Sequence, residues 1–187
     1  MAFTADDFRS LSDQVLEAWE SGLDRDWSAQ AGTVEWTCLA TAAHVIDCVW
    51  SYALFLTSGR QDRYPKGIDE LHATPDATPE DMVDHLRAVT TMLWSVIVTA
   101  DPSAKAIIWQ SPQPATGTPE QFAARGGLEL ALHAYDVCEG LGVAFRPPDD
   151  LCRRLWANTP MWIHQGTDPP TEDAWADLLE RSGRPRP

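Results

Sequence analysis

Residues 125–142 read RGGLELALHAYDVCEGLG, an apolar run carrying one glutamate and one histidine near its middle. As a helix, this run places Glu129 and His133, four residues apart, one above the other on a single face. Titratable groups in apolar surroundings need partners, so the first question is what that face meets. The helix begins at Thr118-Pro119-Glu120-Gln121, which offers a hydroxyl N-cap, proline at the first helical position and a glutamine placed for a capping box. Gly140 and Gly142 are expected to stop it near Leu141.

Working outward, three more long helices are expected. Phe8, Leu11, Val15 and Trp19 recur at spacings of three and four within about 5–23. Residues from about Glu35 to Thr57 are apolar on most sides, as in a buried helix, and Gly59 ends them. Thr78-Pro79-Glu80-Asp81 repeats the start signal, and Met82, Leu86, Val89, Leu93, Val96 and Ile97 form the stripe that follows. Four long helices joined by Pro- and Gly-bearing loops read as an all-α, four-helix bundle over about 5–142, within one domain covering 1–187. A short helical tail follows over about 147–182, with helices at Pro148 to about Trp162 and at Glu172 to Arg181. Trp156, Trp162 and Trp175 are expected to dock it. No segment alternates convincingly as a strand.

Composition narrows the function. The formal charge of −14 repels nucleic acid, and no basic patch interleaves with aromatics. No apolar stretch reaches the roughly 18–20 residues of a membrane span, the best being Val89–Ala100, and MAFTADDFRS lacks the basic start and apolar core of a signal peptide. A cytoplasmic protein with small-molecule partners, no nucleic acid and no membrane is the expectation, and a two-fold homodimer is its commonest assembly. Cys38, Cys48, Cys138 and Cys152 form no CxxC and read as free, mostly buried thiols.

In bundles, side chains from facing helices build metal sites. His44, in TAAHVIDCVW, lies mid-way along the second helix, as Glu129 and His133 do along the fourth. Two imidazoles and a carboxylate are the three protein ligands of a catalytic zinc, which keeps a further position open; Ni²⁺, Fe²⁺ or Co²⁺ suit the same donors. Asp47 and Asp136, each three residues after a histidine, are candidates for holding a ligand ring or for touching substrate. Arg125, one turn before Glu129, either holds an anionic group or is an ordinary helix-surface arginine. Cys48 reads as a core thiol rather than a fourth, soft ligand. His85 is placed at the border of solvent or the site mouth, while His72 and His164 lie in or near loops. Against the metal stands the reading of His44 as a hydrogen-bonded core residue and of Glu129–His133 as a surface pair.

Three stretches, VEWTCLATAAHVID, RGGLELALHAYDVCEGLG and the closing AWADLLERSGRP, together resemble the DinB-like metalloenzyme superfamily. Within it the chain is most similar to the mycothiol-dependent maleylpyruvate isomerase N-terminal-domain group of actinobacteria, over nearly its whole length. The resemblance implies a four-helix bundle holding a metal, usually zinc, through His44, Glu129 and His133; Asp136, from its spacing after His133, is the candidate catalytic residue beside them. It also implies mycothiol as a thiol cosubstrate, for which Asp47 and Arg125 are the candidate contacts. Members with isomerase activity carry an additional C-terminal α+β domain for which 187 residues leave no room, so the metal and thiol carry over more directly than the substrate.

Three functions remain open on these grounds. The first is a metal-dependent enzyme passing a thiol to, or isomerising cis to trans, a small electrophile. The second keeps the metal but needs no thiol, acting as a hydrolase or lyase on a biosynthetic intermediate. The third is a non-catalytic stress protein that binds a small molecule in the bundle.

Overall fold

The structure, a computed structural model, describes residues 1–65, 71–110, 113–159 and 169–186. Four long helices, α1 (Ala5–Glu20), α2 (Cys38–Ser58), α3 (Pro79–Thr99) and α4 (Pro119–Leu141), form the bundle. Their boundaries follow from local chemistry. Thr4 with Asp7, Thr78 with Asp81 and Thr118 with Gln121 close reciprocal capping boxes, satisfying N–H groups the first turn leaves unpaired. Thr37 caps α2 on the Ala40 N–H, so the helix starts at Cys38 rather than Glu35. Gly59 and Gly142, at φ of 62° and 66°, end α2 and α4 in the left-handed conformation.

Gly140 does not break α4. It lies inside the helix, where an added Cβ would stand 2.4 Å from the Gln30 carbonyl oxygen and 2.5 Å from Cys38 Sγ. Glycine there lets α4 touch the segment that leads into α2. The sequence also hid a small antiparallel hairpin, β1 (Ala106–Trp109) and β2 (Ala115–Gly117), between α3 and α4. Strands of four and three residues are too short for alternation to be read.

Around the bundle, α1 and α2 each pack on both α3 and α4, and the hairpin lies on α2. Phe8, Leu11, Val15 and Trp19 of α1, Val45 and Val49 of α2, Leu86 and Leu93 of α3, and Phe122 and Leu130 of α4 are completely buried. Each such side chain contributes about 1.5–3 kcal/mol on burial, so the fold rests on these stripes and a variant lacking a metal ligand should still fold. The tail supplies α5 (Asp149–Asn158), packed on α4, and α6 (Ala174–Arg181), packed on α5. Trp175 docks it edge-on against Tyr135 with ring centres 5.7 Å apart, and Arg154 joins α5 to Asp7 of α1 at 2.8 Å. Trp156 stacks under the Arg181 guanidinium; Trp162 and His164 lie outside the described residues.

One expectation about length needs correcting. By length and composition alone, Cys38–Ser58 is apolar enough to cross a membrane. In the fold it is a central bundle helix, with Val45, Val49, Tyr52, Ala53 and Leu56 buried.

Candidate metal centre

Mid-way along the bundle, α2 and α4 turn toward each other, and His44, Glu129 and His133 meet there. The rings of His44 and His133 stand perpendicular with centres 5.2 Å apart, and His133 Nε2 lies 3.5 Å from Glu129 Oε2. The ligand atoms of His44, Cys48 and Glu129 all fall within 4.8 Å of one another. Cys48, one helical turn beyond His44, places Sγ 3.5 Å from His44 Nε2. The structure thus groups His44 and Glu129 with the half-buried Cys48, which is not the core thiol its sequence context suggests, and sets the His133 ring beside them.

The α4 side is tightly tied. Asp136, completely buried, accepts from His133 Nδ1 at 3.0 Å. An ionised carboxylate only accepts, so Nδ1 carries the proton shared with Asp136, and Nε2 is the atom left facing Glu129. Arg184, beyond α6, grips the same carboxylate through Nε at 2.8 Å and through Nη2. Burial works to raise the Asp136 pKa, but the hydrogen bonds from His133 and Arg184 outweigh it and hold the group below the usual carboxylate range.

Glu129 is divided between its two oxygens. Oε1 accepts from Arg125 Nη2 at 2.7 Å and from the buried Tyr52 hydroxyl at 3.1 Å, while Oε2 faces His133. Burial, and then the charge of Glu129, push the Tyr52 pKa well above its ordinary value, which keeps the hydroxyl a donor. Arg125 is not a surface arginine: its side chain is 14% exposed and lies between the faces of Tyr52 and Trp109 of β1. Its guanidinium holds Glu129.

On the α2 side the site opens. A groove of about 340 Å³ is lined, among the described residues, by Trp36, His44, Asp47, Leu71 and His72. The indole of Trp36, half exposed, lies 5.0 Å from the His44 ring, centre to centre. Asp47 lines the groove and accepts the Leu71 N–H at 2.8 Å; its placement suits contact with a bound molecule. A neighbouring cavity of about 400 Å³ continues past His72 to Asp81, Met82 and His85.

The donor set fits a divalent cation: two imidazoles, one of fixed tautomer, one carboxylate with an oxygen turned inward, and a thiol. Arg184, Tyr52 and Trp36 escaped the sequence reading. Asp136 in an apolar helix demands a cationic partner, yet 14 lysines and arginines compete for that part in the sequence.

No known protein family matches this sequence, and no curated protein matches it. Among solved structures, the fold is similar to that of the mycothiol-dependent maleylpyruvate isomerase, crystallised as a histidine-to-alanine mutant. The likeness covers 90% of this chain and 76% of that one, at a TM-score of 0.54 and 15% identity. The all-α bundle is therefore common to both.

Proposed function

We propose that this chain is a metal-dependent enzyme that uses a low-molecular-weight thiol, mycothiol first among them, to transfer sulfur to a small electrophile or to isomerise it. The observation that carries the reading is the meeting of His44 from α2 with Glu129 and His133 from α4 beside an open groove. The mycothiol-dependent enzyme of similar fold supports the choice of thiol.

In this reading His44, Glu129 and His133 hold the cation, zinc before nickel, iron or cobalt. A cation held there supplies Lewis acidity sufficient to bring a thiol to thiolate near neutral pH. Asp136 fixes the tautomer of His133, and Arg184 fixes Asp136. Tyr52 and Arg125 occupy Oε1 of Glu129 and orient Oε2 inward; Arg125 thereby acts on the thiol's site through Glu129 rather than by clamping an anion. Asp47 and Trp36, on the groove wall, receive the polar and flat parts of the incoming molecules. Place of action is the cytoplasm, where small thiols are kept reduced.

The test supplies purified protein with Zn²⁺ and mycothiol and follows thiol consumption against a panel of electrophiles that includes monochlorobimane and maleylpyruvate. Loss at least tenfold faster than without protein is the expected result, about 1.4 kcal/mol of barrier lowering or more. Loss no faster than the protein-free control across the panel contradicts the proposal. Turnover that needs the metal but no thiol transfers the chain to the hydrolase or lyase class.

A further inference from the structure

Three of the four cysteines are explained by packing. Cys38 directs its thiol at the Val137 carbonyl and Cys152 at the Pro147 carbonyl, both buried, and Cys138 is buried in the core. Cys48 differs in position. It is half-buried, shares a face of α2 with His44, and its Sγ lies within 4.8 Å of ligand atoms from both His44 and Glu129. Two helices thus deliver a nitrogen, a sulfur and an oxygen to one point, and the His133 ring stands next to them, perpendicular to His44 and with Nε2 3.5 Å from Glu129 Oε2.

We infer that Cys48 is a fourth protein ligand at this centre, making the resting site His44–Cys48–Glu129–His133, and that an incoming thiol takes its place. The inference rests on the metal reading above and goes beyond it by assigning the open position to a side chain of this chain. Four protein ligands of this kind complete a tetrahedral zinc shell, which is the closed arrangement. Two anionic donors, Glu129 and the Cys48 thiolate, neutralise a divalent cation, and sulfur biases the site toward zinc, cobalt and cadmium over magnesium or manganese. On metal binding, Cys48 gives its proton to solvent as the sulfur–metal bond forms. When an external thiol arrives, its sulfur replaces Cys48 and its proton passes to the Cys48 sulfur, with no change of oxidation state. Cys48 then acts as a gate that covers the ion until a thiol of sufficient affinity displaces it.

Cobalt(II) reads the donor set directly. Full-length protein titrated with Co²⁺ should show visible bands of four-coordinate cobalt together with a strong sulfur-to-cobalt absorption in the near ultraviolet. In Cys48→Ser and Cys48→Ala the near-ultraviolet band should vanish while the visible bands persist, and Co²⁺ affinity should fall by at least ~10-fold, the lower bound for losing even an outer partner. Visible bands with no sulfur band in the unaltered protein overturn the assignment of Cys48 and leave the metal reading standing. An identical sulfur band in the Cys48 variants overturns it as well. Absence of any cobalt bands in the unaltered protein overturns both, and because that result needs no variant, misfolding of a mutant cannot produce it.

Discussion

The two helices that build the candidate centre hold their side chains differently. On α4, His133 is held by Asp136, Asp136 by Arg184, and Glu129 by Arg125 and Tyr52, with all these side chains buried or nearly so. On α2, His44 faces a groove, lies against a half-exposed Trp36, and has for its neighbour a thiol rather than a buried ion pair. One side is buried and tied; the other borders an open groove. A site that must fix an ion yet admit a second molecule needs both, because rigid outer contacts orient ligands while an accessible edge permits exchange.

That contrast is broken most severely by removing Asp136. In Asp136→Ala the Arg184 guanidinium, 9% exposed, loses its partner in the interior. Leaving a buried charge uncompensated costs roughly 3–5 kcal/mol, so urea unfolding should show a loss of that order. A loss under ~1 kcal/mol, as for an exposed pair, would mean that the α4 side is no more constrained than the surface.

Metal affinity sharpens the comparison with less damage. Asp136→Asn keeps the shape but weakens the grip on His133 Nδ1, and zinc affinity measured by competition with a chromophoric chelator should fall by ~10–100-fold. Asp47→Asn on the other helix should change it by less than ~10-fold, since Asp47 Oδ1 accepts the Leu71 N–H. Equal losses would erase the distinction between the two sides.

The smallest perturbation is chemical. Burial pushes the Cys38 thiol up to about 11 and the Cys138 and Cys152 thiols up to about 12. Thiolate is the reactive form and rises with pH, so at pH 8 each of these three holds roughly one part in a thousand thiolate or less. An aromatic disulfide reagent should therefore label one thiol per native chain, Cys48, and all four once the chain is unfolded. Bound zinc should slow the native reaction. Rapid labelling of two or more thiols in the native protein would contradict it.

How much of this was legible in the sequence depends on the range of the interaction. Caps and helix stripes are local: Thr78 with Asp81 and Thr118 with Gln121 could be read because both partners sit within four residues. Glu129 and His133 were legible for the same reason, and His44 because a histidine among alanine, valine and isoleucine on a central helix needs a partner. What escaped was non-local. Arg184 reaches Asp136 across 48 positions and Tyr52 reaches Glu129 across 77, and no periodicity encodes such pairs. Gly140 misled for a related reason: it looked like a helix stop, whereas it marks close approach to Gln30 and Cys38, a contact invisible until the chain is folded. Cys48 shows that a residue one turn from a candidate ligand changes meaning with the face its neighbours present.

Metal content tests the central claim most directly. Untagged protein, loaded with Zn²⁺, freed of excess and analysed by mass spectrometry, should hold about one zinc per chain, as one closed set of ligands requires. His44→Ala, Glu129→Gln and His133→Ala should each lose most of it while keeping the helical circular dichroism of the unaltered chain. Full zinc retained in both Glu129→Gln and His133→Ala, or no zinc bound by the unaltered chain, would contradict the centre and the enzyme built on it.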